Sequence, residues 1–315
     1  MTKISEIKGL LIDLEGVIYS SNEIIKGSVN TISKLKKNFK IRYLTNTTTT
    51  SRNSIFNKLL KLNLPVEEND IFSPSIAVNY YLKKNNLKRI YVVADDNIMA
   101  DFKDFIYDDQ MPEVVIIGDI HKKFNWDSLN KVFKLIFNTD TILIALHKNR
   151  YCKREDDIGL DLGPFVNALE YASFKESIVI GKPEKEFFDL AINSLGLQRK
   201  EIAMIGDDII SDIQGAINNN IFAIQVKTGK YQKSDESEKF TQPNIRIDSI
   251  NSLPEITYTQ ISGKKASEIK VEISKNTLNK YGLSLYQIAE SIRNNSINIP
   301  SGSIKTDNGE IFIRS

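Results

Sequence analysis

The first residues that could do chemistry are two carboxylates near the start of the chain. Asp13 and Glu15 flank Leu14 and come directly after the apolar run Leu10–Ile12, and Gly16 follows them. A carboxylate at the end of a strand can be a nucleophile, a metal ligand or an ordinary surface charge. Because glycine lets the chain leave a strand tightly, this segment predicts a sharp turn with acidic groups at its start.

A second acidic cluster follows the apolar run Ile202–Ile205. Asp207 and Asp208 come after Gly206, and Asp212 stands four residues beyond Asp208. Three carboxylates this close repel one another unless a cation lies among them, and ligand sets made only of oxygen atoms suit Mg²⁺. The competing interpretation is structural, because Asp208 could simply cap a helix and offset the helix dipole.

Two further segments could bind an anion. Thr45 and Asn46 follow the run Ile41–Leu44, and the hydroxyl-rich string 47–51 leads into a helical pattern, where free amides and hydroxyls favour phosphate. Lys182, between Gly181 and Pro183, follows the run 178–180 and could hold a phosphate as a point charge. The structural alternatives are N-capping by the hydroxyls and a solvated lysine.

The elements that position these groups are short apolar runs that alternate with helical patterns. Runs of this length without polar alternation are typical of strands buried on both faces, and their alternation with helices predicts an α/β fold with a doubly wound parallel sheet. Since ligand sites in such sheets lie at the carboxyl ends of strands, all four polar segments are expected at one edge. The runs are 10–12, 41–44, 90–93, 114–117, 142–145, 178–180, 202–205 and 222–224.

The order of the four segments resembles the four motifs of the haloacid dehalogenase superfamily. Thr45 lies 32 positions after Asp13, which leaves no room for a folded insertion, whereas Lys182 lies 137 positions after Thr45, ample for one. This placement is similar to the C2 cap of class IIA members of the NagD type. The likeness covers about residues 8 to 254. It is also carried by the segments 145–148, 163–166, 168–172, 181–185, 204–208 and 226–231.

The resemblance implies a domain organisation and a set of residue roles. It implies a core over residues 1–75 and 178–256, with an inserted α/β cap over about 76–177. It also implies a Mg²⁺-dependent phosphatase that forms an aspartyl-phosphate on Asp13. The implied metal ligands are Asp13, residue 15 through its main-chain carbonyl, and Asp207; the implied phosphate ligands are Thr45, Asn46 and Lys182; the implied supporting residues are Asp208 and Asp212. The substrate class is a small phosphomonoester, a phosphoamide or a pyrophosphate.

Position 15 departs from the usual pattern of this superfamily. Its phosphatases usually carry Asp there as the acid and base of the reaction, and Glu15 is one methylene longer. A misplacement of about one ångström can cost ~100-fold in rate. The alternative to a phosphatase is therefore a catalytically weak or silent phosphate-binding or scaffold protein. A dehalogenase that uses the same aspartate is disfavoured, because those enzymes do not use the metal that the cluster at Asp207 implies.

The composition of the chain limits the partners and the cellular compartment that we expect. Lys+Arg 42 against Asp+Glu 40 is too balanced to require a nucleic-acid partner, and no apolar stretch approaches the ~18 residues of a membrane span. Cys152 is the only cysteine, so no intrachain disulfide can form, and we expect a cytoplasmic protein. The expected partner is a small phosphorylated substrate, with neither nucleic acid nor membrane; a homodimer is compatible with the sequence.

The character of the chain changes after residue 254. Ile269, Val271 and Ile273 alternate with polar residues as in a half-exposed strand, Ser284 could cap a helix, and Ile311 with Ile313 suggests a closing strand. This tail, residues 257–315, resembles a fragment of the porter region of resistance–nodulation–division efflux pumps. We interpret it as a fused fragment without transport activity; the alternative is a docking appendage that adds a strand to a partner.

Overall fold

The computed structural model describes residues 6–154 and 157–253, Ser284, Glu290, and residues 302–306 and 309–313. The chain divides into two units, Met1–Pro254 and Glu255–Ser315. Within the described part, no helix combines the length and the apolar character that crossing a bilayer demands.

The first sheet of the larger unit contains six parallel strands in the order β15-β14-β13-β1-β4-β5. Every residue of β1 and of β13 is buried, as the continuous apolar runs predict for strands covered on both faces. The strands are β1 (Gly9–Asp13), β4 (Lys40–Leu44), β5 (Ile71–Phe72), β13 (Ile202–Gly206), β14 (Phe222–Val226) and β15 (Ile245–Ile247).

The second sheet contains five parallel strands in the order β12-β9-β8-β6-β7. All four residues of its central strand are buried, and they are the apolar run 114–117. The strands are β6 (Arg89–Val93), β7 (Ile106–Tyr107), β8 (Val114–Ile117), β9 (Ile142–Ala145) and β12 (Ile178–Val179).

The α-helices connect successive strands and carry their apolar faces against the sheets. Phe187, Leu190 and Leu195, for example, are buried on one face of α6, at the spacing of an amphipathic helix. The helices are α1 (Ser28–Leu35), α2 (Arg52–Lys61), α3 (Pro74–Lys84), α4 (Trp126–Ile136), α5 (Leu162–Ser173), α6 (Lys185–Leu195) and α7 (Gly215–Asn218). A wide π-type helical segment over Ile209–Gln214 leads into α7, and a 3₁₀ segment spans Asp96–Phe102.

The order of the first sheet places its switch point between β1 and β13. From β1 the chain proceeds outward on one side to β4 and β5. It later returns to the other side of β1, where it forms β13, β14 and β15. Ligands of open α/β sheets bind where the strand order reverses, at the carboxyl ends of the strands. Asp13 ends β1 and Asp207 follows β13, so both lie at this point.

The sequence predicted these sheets better than the short hairpins. All eight apolar runs form strands, and the α/β fold with a doubly wound parallel sheet is confirmed. The antiparallel hairpins β2 (Tyr19–Ser20) with β3 (Glu23–Ile24) and β10 (Tyr151–Arg154) with β11 (Asp157–Leu160) were not predicted. Two- and four-residue strands with polar residues carry almost no periodic signal.

In the smaller unit, the structure describes an antiparallel pair, β16 (Gly302–Thr306) with β17 (Gly309–Ile313). The closing strand predicted at Ile311 and Ile313 is therefore present as β17. The strand predicted over residues 269–273, and most of the helix predicted after Ser284, lie outside the described residues. The likeness of the tail to a pump fragment and the division into a core and a cap stay predictions.

Candidate active site

Asp13 and Lys182 form the buried centre of the site. Asp13 is 8% exposed and Lys182 is 5% exposed, and the lysine Nζ donates to Asp13 Oδ1 at 2.5 Å and to Asp212 Oδ1 at 2.7 Å. Burial raises the pKa of Asp13, although Lys182 opposes that rise. Burial also opposes the charge of the lysine, but Asp13 and Asp212 outweigh it and raise the pKa of Lys182. The lysine is therefore a permanent cation in this centre.

Three carboxylates lie around the Lys182 ammonium group. Asp13, Asp207 and Asp212 each offer an oxygen, and these oxygens all lie within 4.8 Å of one another. Burial raises the pKa of Asp207 to about 6 and that of Asp212 to about 7. The raised pKa values show that burial, and after it the repulsion between these carboxylates, disfavours their charged forms. The cluster therefore fits a divalent cation, and its donors are the oxygen atoms that Mg²⁺ prefers.

Two glycines enclose the carboxylate of Asp207. Gly16 has φ +84° and Gly229 has φ +60°, a left-handed conformation that glycine adopts without strain. A Cβ atom at Gly16 would lie 2.1 Å from Asp207 Oδ2, and one at Gly229 would lie 2.0 Å from it. The backbone N–H of Lys230 donates to the same oxygen at 2.6 Å, which fixes Asp207 from one side.

The sequence did not reveal this enclosure, although one signal for it was present. Gly229 follows the end of β14 in the segment 226–231, one of the segments that carry the family likeness. Thr228, in the same segment, also binds the turn at Gly16, because its hydroxyl donates to the Gly16 carbonyl. A glycine just after a strand that ends near the switch point is a sign of close backbone approach.

Asp208 has a structural role in addition to its place beside the site. Its Oδ1 accepts the backbone N–H groups of Ile210 and Ser211, both at 3.0 Å, as an N-cap of the π-type segment. Its Oδ2 accepts from Lys230 Nζ at 3.0 Å. Burial alone would raise the pKa of Asp208, but these backbone and lysine contacts lower it. The cap interpretation of Asp208 is therefore confirmed, and its supporting role beside a metal stays a prediction.

Asn46 connects the second predicted segment to Lys182. Its Nδ2 donates to the Lys182 carbonyl and its Oδ1 accepts the Lys182 N–H, both at 2.9 Å, so the amide holds the lysine backbone on two sides. Thr45 lies beside it and lines the same cavity, with its hydroxyl accepting from the N–H of Thr47 at 3.2 Å. At the far end of the string, Ser51 accepts from the Ser54 N–H and caps α2.

Glu15 lies at the exposed rim of this site. Its Oε1 accepts the backbone N–H of Ser21, in the turn between β2 and β3, at 2.7 Å. The side chain lines a cavity of about 390 Å³ that Asp13, Thr45, Lys182 and the acidic cluster also line. The structure therefore brings all eight predicted site residues to one cavity: Asp13, Glu15, Thr45, Asn46, Lys182, Asp207, Asp208 and Asp212.

Sequence reasoning missed several other side chains of this cavity, three of which carry an ionisable group. Tyr19, Lys58 and Lys230 line it as well. Burial, followed by the nearby charges of Glu15 and Asp13, raises the pKa of Tyr19, so its phenol stays protonated. No motif marks Tyr19 or Lys58, because a tyrosine in a hairpin or a lysine on a helix is most often a surface residue. Lys230 belongs to the segment 226–231 of the family likeness, which gave it no individual role.

A second and larger cavity adjoins the first. It has about 1200 Å³ and shares Asn46 and Thr47 with the smaller one. Its other walls come from the carboxyl ends of β6, β8 and β9 and from α5, including buried Asp119 and His147. Burial lowers the pKa of His147 and raises that of the Cys152 thiol, and Lys148 pairs with Glu170 at 2.6 Å.

Comparison with protein-family models matches two segments of the chain. Residues 10–107 match the family described as haloacid dehalogenase-like hydrolase, and residues 179–253 match one described as HAD-hydrolase-like. The two segments contain all eight residues named above.

Curated relatives match most of the larger unit. Phospholysine phosphohistidine inorganic pyrophosphate phosphatase of Danio rerio is 34% identical over 251 residues, 78% of this chain and 90% of the relative. Haloacid dehalogenase-like hydrolase domain-containing protein 2 of Homo sapiens is 37% identical over 238 residues, 75% of this chain and 90% of the relative.

Solved structures share the fold. The p-nitrophenyl phosphatase of Archaeoglobus fulgidus matches with a TM-score of 0.72 at 23% identity, over 79% of this chain and 99% of the other. NagD of E. coli K-12 matches with a TM-score of 0.69 at 20% identity, over 78% and 97%.

Proposed function

Given that this chain belongs to the haloacid dehalogenase-like hydrolases and is a phosphatase of that family, we propose that it hydrolyses small phosphorylated substrates through an aspartyl-phosphate on Asp13. The observation that carries the proposal is the single cavity that holds Asp13, Lys182 and three clustered carboxylate oxygens. A nucleophile, a cation for phosphate and a candidate metal site within one cavity are the parts that phosphoryl transfer requires.

Asp13 is the proposed nucleophile. A carboxylate oxygen attacks phosphorus, the bond from phosphorus to the leaving group breaks, and water later attacks phosphorus to release phosphate and restore the carboxylate. The attack requires an ionised carboxylate, and burial raises the pKa of Asp13. Lys182, whose Nζ lies 2.5 Å from Asp13 Oδ1, opposes that rise and favours the ionised form. Removing the lysine should therefore affect both the charge of the nucleophile and its orientation.

Asp13 and Asp207 are the side chains that would hold a divalent cation, and we propose Mg²⁺, with the carbonyl of residue 15 as a further oxygen ligand. Asp212 completes the acidic cluster in a supporting role, with its Oδ1 bonded to Lys182. Such a cation supplies Lewis-acid stabilisation of the charge on the transferring phosphoryl group. The fit rests on the excess of buried negative charge over Lys182 and on the oxygen-only donor set. Gly16 and Gly229 leave room for the Asp207 carboxylate between their backbones, where a Cβ at either position would clash with it.

Thr45, Asn46 and Lys182 are the proposed phosphate ligands. The two hydrogen bonds from Asn46 to the Lys182 backbone hold these two segments together, although they are 136 residues apart. The phosphate oxygens would then meet a hydroxyl, an amide and a cation whose relative positions are fixed before the substrate arrives. Such preorganisation lowers the cost of stabilising the transition state.

Glu15 is the proposed proton donor to the leaving group and the base for the attacking water. Glu15 is exposed at the rim of the cavity. Its Oε1 accepts the N–H of Ser21, and this hydrogen bond also limits the positions that Oε2 can take. The second sheet, proposed to act as a cap over residues 76–177, supplies the large adjoining cavity for the leaving group. Phosphoamides and pyrophosphates are substrates to test beside phosphomonoesters, because one relative is named for them.

The experiment is p-nitrophenyl phosphate hydrolysis by the purified protein, with Mg²⁺ and with EDTA, and with Asp13→Asn and Glu15→Asp. The proposal expects metal-dependent turnover that Asp13→Asn abolishes. Absence of turnover in the native protein together with a gain in Glu15→Asp would favour the silent phosphate-binding or scaffold alternative. Turnover that does not need metal would contradict the proposed role of the acidic cluster.

A further inference from the structure

Lys58 lies in the candidate active site without a role in the chemistry described above. It belongs to α2, the helix that follows the phosphate-binding segment, and buried Ile55 and Leu59 fix that helix against the sheet. The Nζ of Lys58 donates to the carbonyl of Ser21 at 2.9 Å and lies 4.1 Å from the centroid of the Tyr19 ring. A lysine held by both a carbonyl and an aromatic face has a defined position, unlike a solvated surface lysine.

The residue that Lys58 binds is the residue that anchors Glu15. Ser21 has a left-handed φ of +56°, and its two backbone polar groups point to different partners. Its N–H donates to Glu15 Oε1 at 2.7 Å, and its carbonyl accepts from Lys58 at 2.9 Å. One turn residue thus joins the glutamate at the rim of the site to a cation on α2.

We propose that Lys58 is a positioning residue, which holds the Ser21–Asn22 turn and, through it, the carboxyl group of Glu15 at the leaving-group side of the cavity. This inference rests on the proposed function, in which Glu15 gives its proton to the leaving group. Glutamate has one more rotatable bond than aspartate, so its carboxyl group needs an additional anchor to keep a defined position. The turn supplies that anchor, and Lys58 keeps the turn in place from the side of α2.

The test compares two leaving groups. p-Nitrophenolate leaves without a proton, whereas the alkoxide of glycerol 2-phosphate needs one, so only the second substrate depends on a well-placed acid. In Lys58→Met, kcat/KM for glycerol 2-phosphate should fall about 10-fold more than for p-nitrophenyl phosphate, part of the ~100-fold or more that general acid catalysis contributes. Lys58→Arg should restore the ratio. Lys61→Met, which removes an exposed lysine from the same last turn of α2, should leave it unchanged.

A double-mutant cycle with Glu15→Gln decides whether Lys58 acts through the glutamate. Glu15→Gln should show the larger leaving-group effect, and adding Lys58→Met to it should change the ratio no further. Equal losses for both substrates, a Lys58 effect that persists in the Glu15→Gln background, or no effect at all would each overturn the proposal. Failure of the proposed function would differ, because the native protein would then show no turnover that Asp13→Asn removes.

Discussion

Gly229→Ala tests whether the enclosure of Asp207 matters for the reaction. The added Cβ would lie 2.0 Å from Asp207 Oδ2 and 2.6 Å from the Cα of Gly16, whereas ordinary contacts begin at 3.4 Å. The carboxylate or the loop must therefore move by roughly 1 Å, a misplacement that can cost ~100-fold in rate. Since that factor corresponds to about 2.7 kcal/mol, the effect should stand well outside experimental error.

Gly196→Ala is the matched control for this substitution. Gly196 also has a positive φ, +64°, but a Cβ there would meet no atom within 4 Å. Both substitutions place an alanine in the left-handed conformation, which costs about 1–2 kcal/mol, so both variants should lose thermal stability. Only Gly229→Ala should lower kcat/KM for p-nitrophenyl phosphate by about 100-fold and weaken activation in a Mg²⁺ titration. Equal activities of the two variants would refute the steric argument.

Three further predictions concern stability. Because burial lowers the pKa of His147, the unfolded chain binds a proton at a higher pH than the folded chain does. The free energy of unfolding should therefore fall by up to about 1.4 kcal/mol per pH unit as pH falls below 6.5. The difference between the unfolding free energies at pH 7.5 and 5.5, measured by denaturant titration, should be smaller in His147→Asn. Because burial raises the pKa of Asp207 from 3.8 to about 6, this carboxyl should cost the folded protein about 3 kcal/mol in EDTA as pH rises through that range, measured as the difference between the native protein and Asp207→Asn, and Mg²⁺ should reduce that cost above pH 7. Asp101 accepts the N–H of Arg52 at the start of α2 at 3.1 Å, so Asp101→Asn should lower the unfolding free energy by about 1.5–3 kcal/mol.

Each of these predictions has a contradicting outcome. An unchanged pH difference in His147→Asn would show that the imidazole titrates alike in the folded and unfolded chain. Equal pH dependence of stability between about pH 4 and 6 in the native protein and in Asp207→Asn, both in EDTA, would show that Asp207 does not contribute to it. An Asp101→Asn variant with native unfolding free energy would show that the start of α2 does not depend on that carboxylate.

The sequence predicted the main sheet and its site because the signals were local and ordered. Each predicted site residue comes directly after a continuous apolar run or within a few residues of one, so identifying the strands also located the polar edge. The switch-point rule then brought Asp13 and Asp207 together without knowledge of their distance in the fold. In the same way, the amphipathic spacing of Phe187, Leu190 and Leu195 was enough to identify α6.

What the sequence could not show are contacts between segments that have no pattern in common. Gly229 is close to Asp207 and Gly16 only because β14 and β1 end at the same edge of the sheet. Lys58 looks like any basic residue in the last turn of a helix until a two-residue hairpin brings Ser21 to it. Such contacts depend on tertiary geometry, which periodicity and spacing do not encode.

The most direct measurement of the central claim is to trap the proposed intermediate. Sodium borohydride reduces an acyl phosphate to an alcohol, so protein quenched during turnover of p-nitrophenyl phosphate with Mg²⁺ would carry homoserine in place of the phosphorylated aspartate. Peptide mass spectrometry should find homoserine at position 13, and omitting the substrate should abolish it. Steady turnover with Asp13 unmodified, or with the modification at another aspartate, would contradict the assignment of Asp13 as the nucleophile.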